Sequence, residues 1–514
     1  MASMPHGMSR LDTFLKECLH NPDIGGPPLP QVFGYLLGRN PITGNLDRRD
    51  ILQAYIDLVD SMKVDTVAPG TAEAGQTFFG QFIDHDITLD ATSAIGTHTD
   101  PATIRNVRTP NLDLDCVYGD GPDATPHLYS PEFEGYLLFG RQDNPNDLAR
   151  NCKGRALIGD PRNDENIIVS QIQGAFIKLH NILMARTETD RDTARAIAHC
   201  AEDGVRADVW DMMIPEGLAR FEKVRRFIRL HYQWLVLNDF LPAFVDQACI
   251  DDALARDPFG AAAPIMPAEF SVAAYRFGHA TVQPVYDLNA ALETVPLFAM
   301  AGFGPRSPAW DMEMKRFFGS TAQHALPVGT KMADTLFALP PNIVGSGLRW
   351  GDIEIPVEQA RKLALRNILR DRTAIQIASG QQLARHLGLA ELDAPPQLRD
   401  AHITKTPLWF YCLQEAAQRP VAQGGGKLTG VGGTIVASVF ARLLKLDPES
   451  LYHIHNFQPW QGFGADFSMA ALMDYVDSHI GDVHCAEDLW CGAPHLAEEA
   501  RPAPSDAPSP AEPA

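Results

Sequence analysis

The chain has 514 residues, 45% of them hydrophobic, which is enough material for a large core. Its formal net charge of −21 opposes binding to nucleic acid phosphates and to anionic membranes. Eight cysteines are scattered, with only Cys485 and Cys491 close together, which fits neither a disulfide framework nor a zinc signature. No run of about eighteen or more apolar residues is found, so no membrane insertion is expected. Met1 to Asn40 lacks a basic start followed by an apolar stretch. The expectation is a cytoplasmic protein, or one exported without a cleavable leader.

In chain order, long loops rich in Pro, Gly and Asp are expected at 20–48, 91–130 and 253–269. Helical periodicity is clear over Ile167–Met184, Val224–Leu237, Val357–Arg370 and Gly432–Leu444. Strand-like alternation is sparse, with Asp352–Pro356 as a short candidate. The fold class expected is mainly α, with few short strands and no internal repeat. The division expected is an N-terminal arm at 1–74 packing on the core, one large helical domain at 75–497, and a disordered Ala/Pro/Glu-rich tail at 498–514.

Gly80-Gln81-Phe82-Ile83-Asp84-His85-Asp86 places a histidine between two carboxylates, with a glutamine one helical turn earlier. Phe78, Phe79, Phe82 and Ile83 surround these groups, so the segment is expected to be buried. A histidine in an apolar shell is costly unless something uses it or satisfies it. The two aspartates point in different directions along a helix, so each needs its own partner.

Four further segments bear chemistry. In Arg108-Thr109-Pro110-Asn111-Leu112-Asp113-Leu114-Asp115, followed by Cys116-Val117-Tyr118-Gly119, oxygen-bearing side chains recur at every second residue. A hard cation such as calcium draws its shell from such oxygens, although a solvated polar turn has the same pattern. In Gly159-Asp160-Pro161-Arg162-Asn163-Asp164-Glu165, just before a helix near Asn166, Arg162 could serve a bound anion or polarised oxygen, or simply pair with Glu165. Tyr275-Arg276-Phe277-Gly278-His279 combines a glycine, which admits a flat ligand near the backbone, with a histidine that is either an axial ligand or a satisfied core residue. In Leu365-Arg366-Asn367-Ile368-Leu369-Arg370-Asp371-Arg372, a polar residue interrupts a cationic helix; it reads as a solvated helix end or as a holder of carboxylates.

Taken together, in this order and spacing, the five segments resemble the animal-type haem peroxidases of the peroxidase–cyclooxygenase superfamily, particularly bacterial members. The resemblance spans roughly residues 75 to 440. It implies a single large helical haem-peroxidase domain holding haem b and calcium. It makes His85 the distal histidine, Gln81 the distal glutamine and Arg162 the distal arginine. His279 becomes the proximal iron ligand, and Asn367 the acceptor of its second ring N–H. Arg276 and Arg370 fall where the family pairs haem propionates. Asp86, Thr109, Asn111 through its carbonyl, Asp113 and Asp115 match the calcium site. Asp84 and Glu165 match two carboxylates that form ester bonds to haem methyl groups in mammalian members.

Two departures matter. Asn166 stands where some mammalian members carry a methionine linked to a haem vinyl group, so that third bond is impossible here. Arg276 stands where cyclooxygenases and related dioxygenases carry a radical tyrosine, with Tyr275 one residue out of phase. The function implied is reduction of hydrogen peroxide with oxidation of a small-molecule electron donor, halide or phenolic, and a place in the response to oxidative stress. Fatty-acid dioxygenation and a non-catalytic haem-binding protein are the competing classes. The pairing of His85 with Arg162 speaks against the latter, since a scaffold needs neither.

Overall fold

The computed structural model describes residues 33–42, 46–64, 68–88, 111–198, 200, 217–341 and 348–482. At its centre lies the helix Ala74–Ile87. Phe79, Phe82 and Ile83 are fully buried on it. Phe82 stacks on Phe176 with centroids 5.0 Å apart, and Tyr232 meets both Phe79 and Phe82 edge-on at 6.1 Å. These rings clamp the helix against Ile167–Thr189 and Gly217–Leu235. Each buried aromatic contributes about 1.5–3 kcal/mol relative to exposure. Gly80 is required for this approach: a Cβ there would lie 2.7 Å from the Phe240 ring. The helix ends where Thr88 turns extended, its hydroxyl donating to the Asp84 carbonyl and carboxylate at 3.0 Å.

The helix Ile167–Thr189 starts because Asn166 caps it, its side-chain oxygen accepting from the N–H groups of Ile168 (3.1 Å) and Val169 (2.9 Å). It runs one turn beyond the expected Met184. Among the described residues it alone is long and apolar enough to cross a membrane, but 94% of that stretch is buried in protein, so it is a core helix. The helix expected at Val224–Leu237 begins at Gly217 and widens into a π-helical turn over Val236–Phe240. The one expected at Gly432–Leu444 is Gly430–Leu446, its first N–H groups satisfied from outside by Glu415, which accepts from Val431 (3.0 Å) and Gly432 (3.1 Å).

The segment expected as one helix at Val357–Arg370 is instead three pieces. Val357–Ala360 is a single turn, the chain opens at Lys362, Leu363–Leu369 resumes the helix, and Arg370–Ile375 is π-helical. The periodicity did not register the break because apolar residues on both sides face the same core. Arg361 and Arg366 hold the gap, donating to the carbonyls of Leu339 (2.7 Å) and Ala360 (2.9 Å).

Strands are few and short. Ile353–Ile355, inside the expected 352–356, pairs antiparallel with Leu348–Trp350. Phe33–Gly34 pairs parallel with Met266–Pro267, Lys63–Val64 parallel with Met332–Ala333, and Val285–Tyr286 antiparallel with Val295–Pro296. The helix Arg48–Asp60 buries Ile51, Leu52, Tyr55, Leu58 and Val59. Two expected loops contain short elements, Asp115–Tyr118 and Ala268–Ser271, too brief for a periodic signal. Residues 498–514 lie outside the described residues.

Under the start of the Ile167–Thr189 helix sits a buried ionic cluster. Arg150 holds Asp164 with two bonds (2.6 and 2.8 Å) and Asp147 with two more at 3.0 Å, all three side chains at most 4% exposed. Asp147 also accepts from the Arg306 N–H at 3.0 Å. Deleting one partner of such a cluster strands buried charge. Arg150→Ala should therefore cost about 3–5 kcal/mol of stability, read as a lowered denaturant midpoint. An unchanged midpoint would show that the cluster is not under this electrostatic constraint.

Candidate active site

His85 lies near the C-terminal end of the Ala74–Ile87 helix and is 5% exposed. Its Nδ1 is 2.7 Å from Oδ1 of Asn163. Burial, reinforced by the Arg162 guanidinium, pushes its pKa down to about 4, against the opposing influence of Asp84, Asp160 and the Asn163 hydrogen bond. His85 is thus a neutral imidazole near pH 7, in the state that accepts a proton.

Arg162 sits on a 3-10 turn, Pro161–Asp164, whose capping Asp160 accepts from the Arg162 N–H at 2.8 Å. The alternative pairing with Glu165 is not formed. Asp160 takes that place, receiving Nε at 3.1 Å and Nη2 at 2.9 Å, because it is fully buried and one peptide closer to the guanidinium's path. Nη2 also donates to the carbonyls of His85 (3.2 Å) and Thr88. Arg162 is thereby fixed against the end of the helix that carries His85.

Glu165 instead accepts from the Gln81 side chain, whose carbonyl receives Nδ2 of Asn166 at 3.1 Å. Burial pushes Glu165 up to about 7, helped by Asp84 and Asp160 and opposed by Arg162. Asp84 accepts from Thr88, as described above.

The neighbouring Asp86 is fully buried. Ligand oxygens of Asp86, Asp113 and Asp115 all lie within 4.8 Å of one another. Leu114, between the two loop aspartates, takes a left-handed conformation (φ 62°), and its N–H donates to Asp86 at 3.2 Å. The other Asp86 oxygen has no hydrogen-bond partner. Burial, then the Asp113 charge, pushes the Asp86 carboxyl well above the usual range. A cluster of three carboxylates, with Asp86 fully buried and Asp115 half-buried, and with an unbonded oxygen on Asp86, has the chemistry of a hard-cation site. Asn111 precedes it by two residues on the same loop, and Thr109 lies outside the described residues.

His279 begins on the turn Gly278–Thr281 and is partly uncovered by protein. Its Nδ1 is 2.9 Å from Nδ2 of Asn367, so the buried amide turns its NH2 to the ring rather than the accepting oxygen that was expected. Burial, then Arg276 and Arg370, push its pKa down to about 3, with the Asn367 hydrogen bond opposing. At Gly278 a Cβ would meet nothing within 4 Å, so open space adjoins His279. This side is tied to the Ala74–Ile87 helix twice: Tyr275 donates to the Gly80 carbonyl at 3.1 Å, and the Thr77 and Thr281 hydroxyls lie 2.9 Å apart. Asn367 is buried rather than solvated, and Arg372 is 2% exposed, so the solvated helix end does not form.

Three residues of the site escaped the sequence reading. Asp160 and Asn163 lay inside a quoted segment without a role, and Gln173 sat in an apolar helix. All three are fully buried polar residues, and a polar residue in an otherwise buried run was the available signal.

Residues 91–297 match the animal haem peroxidase family. Over that stretch the chain is similar to the animal haem peroxidases of the peroxidase–cyclooxygenase superfamily. Among solved structures its fold is similar to peroxidase A from Dictyostelium discoideum, at 15% identity and a TM-score of 0.55, covering 89% of this chain and 95% of that one. It is similar as well to the fatty acid alpha-dioxygenase of Oryza sativa, at 14% identity and a TM-score of 0.51, covering 88% and 80%. The Arabidopsis thaliana fatty acid alpha-dioxygenase follows at 13% identity and a TM-score of 0.50, covering 90% and 77%. No curated protein matches the sequence. The superfamily is one of oxidoreductases, and its peroxidases bind haem.

The Glu165 carboxyl yields a pH test. Its folded pKa, about 7, is above its ordinary 4.5, so the folded state holds the proton more tightly. Its contribution to stability is complete below pH 4.5 and is lost as pH rises through 7. Glu165→Gln should therefore gain stability relative to wild type across that window, in paired urea titrations. A constant difference between the two proteins across the window would remove Glu165 as the titrating group.

Proposed function

We propose that this protein is a haem-dependent peroxidase that reduces hydrogen peroxide and oxidises a small donor, halide or phenolic. The observation that carries the reading is the neutral, buried His85 near the end of its helix, with the Arg162 guanidinium of the Pro161–Asp164 turn fixed against that helix end and His279 on a segment tied to the same helix. Haem b fits the residues present. His279 is held through Nδ1 by Asn367, which leaves Nε2 for iron, and the open space at Gly278 suits a flat macrocycle. Arg276 and Arg370 are the cations for its propionates. On this reading Asp84 and Glu165 are the carboxylates available for ester bonds to it.

Haem, when bound, supplies an iron with one open position and the redox chemistry of peroxide reduction. His85 takes a proton from the incoming peroxide and returns it to the departing oxygen, so that water leaves rather than hydroxide. The Arg162 guanidinium stabilises the negative charge that builds as the O–O bond stretches. Overall, peroxide gains two electrons and two protons to give two waters, the electrons coming from the donor. Gln81, held by Glu165 and Asn166, lines the same side as a fixed amide.

Calcium is proposed at Asp86, Asp113 and Asp115, with Thr109 and the Asn111 carbonyl completing the shell. Its function there is positional. A cation on Asp86 pins the backbone of the adjacent His85, and a displacement of about 1 Å costs a general base roughly a hundredfold.

Fatty-acid dioxygenation is disfavoured by Arg276, where a radical tyrosine would be needed. Tyr275 does not replace it, because its hydroxyl is committed to the Gly80 carbonyl, an acceptor that does not take the proton. An absorption spectrum before and after peroxide, with donor oxidation assayed beside oxygen uptake on palmitate, tests the reading. Oxygen uptake without peroxide-driven donor oxidation would replace it with dioxygenation.

His279→Ala should lose stable haem, and full haem content with an unchanged spectrum would disprove the axial assignment. His85→Ala should keep haem and react with peroxide about a hundredfold or more slowly, with Arg162→Ala less impaired. Stopped-flow rates equal to wild type would rule out the proton role of His85. Metal analysis should find about one calcium per chain, and its removal should lower both activity and melting temperature. Full activity and unchanged melting in calcium-free protein would refute the site.

A further inference from the structure

A buried hydrogen-bond chain runs from a backbone carbonyl to His85. Nε2 of Gln173 donates to the Cys116 carbonyl at 3.2 Å. Nδ2 of Asn163 donates to Oε1 of Gln173 at 2.8 Å. Oδ1 of Asn163 faces Nδ1 of His85 at 2.7 Å. Cys116, Gln173 and Asn163 are fully buried and His85 is 5% exposed, so the links are shielded from bulk water.

We infer that Asn163 selects the tautomer of His85, placing the proton on Nδ1 and leaving the lone pair on Nε2. The argument is one of polarity. A backbone carbonyl only accepts, so the end of the Gln173 amide facing Cys116 is its NH2 group. Its other end is then a carbonyl, which only accepts, so Asn163 turns its own NH2 toward Gln173. What Asn163 presents to His85 is therefore an oxygen, and Nδ1 must donate. Reversing the tautomer sets two acceptors face to face in a dry site. Rotating the amides to relieve that clash moves the mismatch along to the Cys116 carbonyl, where no rotation removes it. A buried unsatisfied group costs about 1–3 kcal/mol, so the chain strongly favours one tautomer.

The far end of the chain is itself immobile. The Cys116 carbonyl also accepts from the Asp160 N–H at 3.2 Å, and a Cβ on Gly159 would lie 2.3 Å from the Asp115 carbonyl oxygen. The proposal rests on His85 being the base of the peroxide reaction. Only an unprotonated Nε2 can take the peroxide proton, so Asn163 is a positioning residue that acts through His85.

The test uses haem-loaded protein labelled with 15N-histidine, in its diamagnetic ferrous carbon monoxide form, with the His85 signals identified by their absence in His85→Ala. Wild type should show Nδ1 protonated and Nε2 bare. A protonated Nε2 in wild type would overturn the proposal without any Asn163 variant. Asn163→Leu should populate both tautomers and slow the reaction with hydrogen peroxide about 10–100-fold. Carbon monoxide binding, which needs no base, should stay unchanged. Asn163→Asp, which as the protonated acid presents an acceptor to Nδ1 and its O–H to Gln173, should restore the single tautomer. Wild-type tautomer and peroxide rate in Asn163→Leu would also overturn it. The outcomes separate this proposal from the functional reading: a bare Nε2 in a protein inert to peroxide sinks the peroxidase and leaves the tautomer assignment standing. A peroxide-reactive protein with a protonated Nε2 does the reverse.

Discussion

The site depends on how the end of one helix is held in a dry interior. Asp86 brings a carboxylate into contact with two others, Asp113 and Asp115, on a loop distant in sequence. Three such charges repel one another, and burial further disfavours the charge on Asp86. Unless a cation or protons neutralise it, the cluster pushes the loop away from the helix. Once neutralised, it draws the loop in, with the left-handed Leu114 turning its N–H onto Asp86. Because His85 precedes Asp86 and Cys116 follows Asp115, one electrostatic condition governs both the backbone under the histidine and the carbonyl from which its hydrogen-bond chain hangs.

A second constraint comes from the opposite direction. The turn Pro161–Asp164 delivers Arg162 and Asn163 to the same histidine, and it is anchored by Arg150 on Asp164 and by the buried Asp160. Buried ion pairs are poor sources of net stability, since desolvation offsets most of the attraction. Their value here is geometric. Each partner satisfies the next, so the turn has few ways to move, and adjacent residues on it reach His85 from two sides: Asn163 at the ring and Arg162 at the backbone carbonyl.

Much of this was legible in sequence because the motifs are local. The histidine between two aspartates, the alternating oxygens from 109 to 115 and the Arg276–His279 run each lie within a few residues and take their meaning from their common order, while apolar flanks correctly implied burial of His85 and Asp86. What was not legible depends on contacts across distance. Arg162 chooses Asp160 over Glu165 because of a turn geometry that spacing does not encode. The chain through Cys116, Gln173 and Asn163 joins four places in the sequence, each individually ordinary. The broken helix around Lys362 kept its periodicity while losing its continuity, since apolar spacing reports which side faces the core and not whether the backbone hydrogen bonds persist.

The same helix that carries His85 also positions the opposite side of the site. Two turns toward its start, Thr77 meets Thr281 and the Gly80 carbonyl receives the Tyr275 hydroxyl, so the segment bearing His279 is registered against it. Gly80 keeps this packing close, since a Cβ there would lie 2.7 Å from the Phe240 ring, which itself meets Tyr275 with centroids 6.2 Å apart. Residues of both sides are therefore placed by one rigid element clamped in an aromatic core, rather than by two independently mobile loops. On the proposed reading, the core helix sets the geometry of proton transfer through its placement of His85.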